Sequence, residues 1–322
     1  MKKQLFAFFL LLLFPISVFA YSDSLIVGGE TIGIEVHSNG VYIVGFYPVN
    51  GENIGKNSGL EVGDIIKTVN DTEINNINEL NNVLLDSFNF NLKVQRGNDL
   101  LYFTIKPVYE NNLLKTGLYV KDQINGIGTL SYIDPNTKIF GSLGHEILES
   151  SSFSKFKISS GNIYKAEVSS IKRSESGIAG SLNAIIDKGE VIGNVMSNEE
   201  KGIFGIYSDD INSKNLIPVG DVYDIHKGEA FIRTNVTGNE VEDFSIDIIS
   251  IDEDSFNKNI FFKVTDKKLK KKTGGIVQGM SGSPILQDDK IIGVVNYVVV
   301  EEPLKGYGIF ITTMLKEGDK IK

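Results

Sequence analysis

The sequence predicts a mainly β protein in which a small α+β unit precedes a larger all-β region. Three observations carry this. From residue 117 onward, short apolar runs such as GIGTLSYID, NIYKAEVSSI, EAFIRTNV, FSIDIISID, NIFFKVTD and KIIGVVNYVVV recur between clusters of Gly, Asn, Asp and Ser. That is the pattern of many strands joined by tight turns, as in a barrel or a sandwich, and periodicity does not choose between the two. Few stretches of this region repeat with the 3.6-residue period of an amphipathic helix. Glycine, at 33 of 322 residues, is plentiful enough to supply the turns.

The opening MKKQLFAFFLLLLFPISVFAYSD is read as an export segment and set apart from the fold. Lys2 and Lys3 form its basic end, residues 5–19 its apolar stretch, and Val18-Phe19-Ala20 suits cleavage after Ala20. An uncleaved membrane anchor at 1–20 is the alternative, because Pro15 and Phe19 weaken the cleavage site. The rest is ordinary globular composition, 41% hydrophobic and 23% charged. Lys+Arg 32 against Asp+Glu 41 gives a net charge of −9, which argues against a general nucleic-acid partner. The absence of cysteine removes thiol catalysis, disulfides and cysteine-ligated metals. No cofactor is expected.

The α+β unit is expected over residues 24–109. TIGIEV at 31–36 and VYIVGFYPV at 41–49 read as strands, and Ile77, Leu80, Leu84 and Leu85 recur at helical spacing. The strands FNLKVQR and LLYFTI follow. Between them, NSGLEVGDIIKTVNDTEINN resembles the signature of bacterial PDZ domains through Gly59, Leu60, Gly63, Asp64 and Ile66. The resemblance implies a domain that takes a peptide C-terminus, or a segment of the chain itself, as an added strand. Thr31, Ile32, Gly33 and Ile34 are the nearest match to the carboxylate-holding loop. An ordinary edge strand is the even alternative there.

In GGIVQGMSGSPILQDDKIIGVV, residues 274–295, a glycine-rich corner carries Ser281. Taken alone, Gly-x-Ser-Gly-Ser is common, and a tight corner explains it. A hydroxyl nucleophile needs a base, and the chain has three histidines. His37 stands in a turn-like His-Ser-Asn-Gly and His226 in a solvated loop. His145 follows Gly144 in KIFGSLGHEI, where periodicity alone favours a structural role.

Together GGIVQGMSGSP, GSLGH and VTDKKLKKKTGG resemble the stage IV sporulation protein B (SpoIVB) peptidase family, exported serine peptidases of the chymotrypsin-like PA clan. SLIVGGETIGIEV, GLYVKD, GIGTLSYIDPNTKIFGSLGH and GYGIFI extend the match in the family's order. The resemblance implies a PDZ domain followed by a chymotrypsin-like double β-barrel over 117–322. It implies Ser281 as nucleophile, His145 as general base and Asp266 as base-orienting acid, with the oxyanion held by the N–H groups of Gly279 and Ser281. Asp266 lies close to Ser281 in sequence, and Asp243 and Asp247 stand as alternatives to it.

Tyr119, Lys121 and Glu146 depart from the family's more frequent Trp, Arg and small or apolar residues. The lysines 267, 268, 270, 271 and 272 read as a solvated loop. The implied function is a self-cleaving signalling endopeptidase between forespore and mother cell. Its partner would be a membrane-associated regulator of an intramembrane protease that releases a late sigma factor. A catalytically silent PDZ adaptor and an HtrA-like envelope quality-control protease are the alternatives.

Overall fold

The computed structural model describes residues 21–84, 89–211 and 216–321, so residues 1–20, where the export segment is expected, and Leu85 lie outside it. β1 (Ser24–Val27) leads into β2 (Thr31–Phe46), a strand of 16 residues that serves two cores. Its first half buries Ile32, Ile34 and Val36 in one cluster, and its second half buries Val41 and Ile43 in another.

After β2 the chain leaves to build the α+β unit. This consists of α1 (Ile54–Asn57), β3 (Ile65–Val69), β4 (Thr72–Glu73), α2 (Ile77–Leu84), β5 (Phe90–Arg96) and β6 (Asp99–Ile105). A small hairpin follows, β7 (Val108–Glu110) with β8 (Leu113–Lys115). Ile66, Val69, Ile74, Leu80, Phe90, Leu92 and Val94 form the core with Val41 and Ile43. The Gly63-Asp64 pair has a physical reason here. The Asp64 side chain is fully buried and takes a two-pronged ion pair from Arg96, Nε to Oδ1 at 2.7 Å and Nη2 to Oδ2 at 2.8 Å. Arg96 also donates to the Gly59 carbonyl at 2.9 Å, which ties the glycine-rich turn to β5.

β9 (Leu118–Ile133) returns alongside β2 over its whole length, from Phe46↔Leu118 to Thr31↔Thr129. With β10 (Ile139–Ser142), β11 (Ile158–Lys172), β12 (Ser181–Glu199) and β13 (Gly202–Tyr207) they close a six-stranded antiparallel ring in the order β9-β10-β13-β12-β11-β2. β14 (Leu216–Pro218) pairs with β1 at its margin. A second closed barrel, β15-β16-β17-β20-β19-β18, is made of β15 (Gly228–Asn235), β16 (Val241–Ile251), β17 (Ile260–Val264), β18 (Pro284–Gln287), β19 (Lys290–Val298) and β20 (Lys305–Phe310). In β16 the inward Phe244, Ile246 and Ile248 alternate with outward Asp243, Ser245 and Asp247, the period of a strand with one face in a core. Closure leaves neither ring an open edge. α3 (Lys267–Thr273) precedes β18, and α4 (Ile311–Gly318) packs Ile311, Met314 and Leu315 against the β19–β20 side.

Four expectations are corrected. The sheets do not divide the chain at 24–109 and 117–322: β1 and the first half of β2 belong to the first barrel. Thr31, Ile32, Gly33 and Ile34 offer no open groove, because β9 occupies one edge of that segment and β11 the other. His37 lies within β2, not in a turn, and contacts Glu35 at 3.3 Å. The lysine run forms a helix, α3, capped by Asp266 and ended by Gly274 in the left-handed conformation.

Candidate active site

Ser281 and His145 line one cavity of about 530 Å3, together with Gly279, Glu146, Asn296 and Tyr297. Ser281 stands on the corner between α3 and β18. Four neighbouring N–H groups are tied down: Gln278 to the Gly180 carbonyl, Met280 to Val277, Gly282 to Val295 and Ser283 to Met280. Those of Gly279 and Ser281 make no hydrogen bond among the described residues. Each of the two sits in a peptide unit whose carbonyl is anchored. The Gln278 carbonyl accepts from Leu182 at 2.8 Å and the Met280 carbonyl from Ser283 at 3.0 Å. A trans peptide directs its N–H opposite its C=O, so both donors are fixed in direction and free of a partner.

Thr129, in the middle of β9, holds this corner and was not singled out by the sequence. Its N–H donates to the Ser281 carbonyl at 3.0 Å and its Oγ1 to the Gly279 carbonyl at 2.8 Å. Its own carbonyl accepts from Ser142 Oγ at 2.6 Å, on the strand that leads to His145. At Gly282, φ is +99°, and a Cβ would stand 2.1 Å from the Thr129 carbonyl oxygen. Only glycine fits that approach.

His145 follows a three-residue γ-turn, in which the Gly144 N–H donates to the Ser142 carbonyl at 2.9 Å. Leu143 adopts φ +70° at its centre, the strained form of this turn. Buried Leu143 and the Asn198 side chain, which bonds both the N–H and the carbonyl of Ile147, hold the loop on either side. The imidazole Nδ1 lies 2.9 Å from the Glu146 carbonyl oxygen, and the ring stacks on Tyr297 with centroids 5.8 Å apart. Burial holds the pKa of His145 below its ordinary value, partly offset by the Glu146 carbonyl and carboxylate. The ring is therefore neutral at physiological pH. Ser281 Oγ has its hydrogen bond to the Asn296 carbonyl, at 3.5 Å the limit for one, and none to His145.

None of the three candidate acids is among the residues that line the cavity. Asp266 Oδ1 accepts from the Leu269 N–H at 2.7 Å as the N-cap of α3, and Asp266 is not among the residues lining the cavity. Asp243 is held by Arg233 at 2.7 and 2.8 Å, and Asp247 is exposed on β16. His226 lies on the surface beside Asp288, 2.9 Å away. Among the described residues no group of acids and histidines is arranged to hold a metal ion.

With this geometry in view, a family model described as SpoIVB peptidase S55 matches residues 112–315. The chain belongs to the SpoIVB peptidase S55 family. It is thus a serine peptidase of sporulation, a hydrolase of peptide bonds. Among curated proteins none matches the chain. The S55 match begins just ahead of β9, although the ring that β9 closes also needs β2 from upstream.

Proposed function

We propose that Ser281 is the nucleophile and His145 the general base of an exported endopeptidase. Its substrate would be a membrane-associated regulator of an intramembrane protease. The observation that carries this is the shared cavity of Ser281 and His145 beside two partnerless, pre-directed N–H groups. In the reaction Ser281 Oγ bonds to the substrate carbonyl carbon while its proton passes to His145 Nε2. The carbonyl oxygen, now negative, lies against the N–H groups of Gly279 and Ser281. Collapse breaks the C–N bond, and the proton moves from Nε2 to the leaving amine. Water then cleaves the acyl-enzyme by the same steps and restores Ser281. Oγ must turn from the Asn296 carbonyl toward the ring, a rotation about one side-chain bond.

The cavity wall supports a substrate class. Ile276, Val277, Val295 and Val298 are apolar, so the residue entering beside Ser281 is best matched by an aliphatic or aromatic side chain. Export through the segment at 1–20 into the space between forespore and mother cell, and self-cleavage, follow from the family resemblance. For the PDZ-like unit, support for a peptide site lies between α2 and the start of β9. There Leu80, Asn81, Leu84, Leu114, Leu118 and Val120 border a cavity of about 190 Å3, and among the described residues no strand pairs with residues 118–128 of β9 on the edge away from β2.

A fluorophosphonate probe tests the chemistry. Label mapped to Ser281, absent from Ser281→Ala and from His145→Ala, is the expected result. Equal labelling of His145→Ala and the wild type would sink the proposal.

A further inference from the structure

When the acyl-enzyme forms, the imidazole gives its proton to the leaving amine, so the first residue of the released peptide lies beside that ring. The side chains at the imidazole end of the cavity therefore decide what is accepted there. Glu146, the next residue in the chain, is half-buried and lines the cavity together with Leu148 and Tyr297. Among the lining residues it alone carries a carboxylate, and none carries an ammonium or a guanidinium.

The Glu146 carbonyl is bonded to His145 Nδ1, but its carboxylate makes no hydrogen bond or ion pair among the described residues. Its charge still reaches the cavity. Burial pushes the Tyr297 hydroxyl up, and the carboxylates of Glu146 and Glu200 add to that shift. Glu200 is exposed in the turn between β12 and β13, and its carboxylate is likewise without a bonded partner among the described residues. Two cations stand near this end of the cavity, and neither is bonded to these acids. Lys201 is buried, and its Nζ donates to the Phe256 carbonyl. Lys258 lies over the rings of Tyr297 and Tyr307, 5.5 and 5.2 Å from their centroids.

We propose that Glu146, supported by Glu200, makes the peptidase select a lysine or arginine as the first residue of the released peptide. The inference rests on the Ser281–His145 pair proposed above, and it adds a charge to the apolar residue that enters beside Ser281. The stem of the basic side chain runs along Leu148, an exposed apolar residue of the same wall, and its head meets the carboxylate. Because Glu146 is half-buried, salt screens that pair less than it screens one on an open surface.

Equimolar peptides that share an apolar residue before the scissile bond, and carry Lys, Arg, Ala or Glu after it, test the proposal. Cleavage is read by mass spectrometry as a ratio within one mixture, so any effect of a variant on His145 itself cancels. The wild type is expected to cut the Lys and Arg peptides about fivefold faster than the Ala peptide, and the Glu peptide slowest. Glu146→Gln is expected to bring the Lys-to-Ala ratio close to one, and Glu146→Lys to turn the preference toward Glu. Glu200→Gln, a change at an exposed position, is expected to lower the ratio in part. A wild type with no preference for Lys or Arg over Ala, or a Glu146→Gln variant that keeps the wild-type ratio, overturns the proposal.

Fluorophosphonate labelling of Ser281 reports in each variant that the site is assembled. If Glu146→Lys does not fold, Glu146→Gln and Glu200→Gln carry the comparison. A wild type that neither labels nor cuts refutes the Ser281–His145 reading, and the selection with it. One that labels but shows no basic preference refutes the selection alone. If it labels and cuts none of the peptides, the slowing of labelling by each peptide gives the same ratio, with the same outcomes.

Discussion

At the scale of single residues, the site depends on burial acting on one imidazole. Taking His145 out of water disfavours its charged form, which lowers its pKa below the ordinary 6.5. Catalysis requires the neutral ring, so the rate of Ser281 labelling rises with pH through a midpoint that lies below 6.5. Stability follows the same sign. The unfolded chain takes up this proton first as pH falls, so the contribution of His145 is intact above 6.5 and is lost through the lowered folded value. A labelling profile measured across the acid range checks this, and a midpoint at or above 6.5 contradicts it. Ser281 and His145 were singled out through the family resemblance of GGIVQGMSGSP and GSLGH, because on their own the glycine corner and the loop after Gly144 read as structural. Thr129 was not. Its role consists of bonds to main-chain atoms about 150 positions away, and nothing in GIGTLSYID announces them.

At the scale of elements, α3 shows how a correct cue is overridden by a stronger impression. Asp266 ahead of the segment and Gly274 behind it are an N-cap and a C-terminal stop, and lysine is a good helix former. Five lysines in seven residues nevertheless read as a solvated loop. The α+β unit was easier to read, because its Gly63-Asp64 motif has a local cause in the Arg96 fork. That cause is testable. Arg96→Ala leaves the Asp64 carboxylate buried with only the Glu61 N–H, 2.9 Å away, to bond it. The expected cost is about 3 kcal/mol, read as a lower midpoint in urea denaturation. A loss of only about 0.5 kcal/mol, typical of a surface ion pair, would refute the structural role of the fork.

At the scale of the whole molecule, the first barrel is assembled from pieces that the chain separates by about seventy residues. β2 and β9 pair end to end, Tyr47 N–H bonds the Gly117 carbonyl, and the α+β unit is inserted where that long hairpin would otherwise turn. Strand content was legible, because alternating burial shows in the residues themselves. The partition was not, because pairing between β2 and β9 depends on contacts no local pattern encodes.

The consequence is that the peptidase region is not a separable piece. A chain beginning at Gly117 lacks β1 and β2, removing Ile26, Ile32, Ile34, Val36 and Tyr42 from the barrel core. It also exposes the edges of β9 and β11 that β2 covers. Unpaired edges beside an opened core favour aggregation over folding. Residues 117–322 alone should therefore fail to give a cooperative thermal transition or any labelling at Ser281, whereas a chain beginning at Tyr21 gives both. A soluble, labelled 117–322 fragment would mean that the ring closes without β2, and that the inserted unit is joined to the barrel by connection alone.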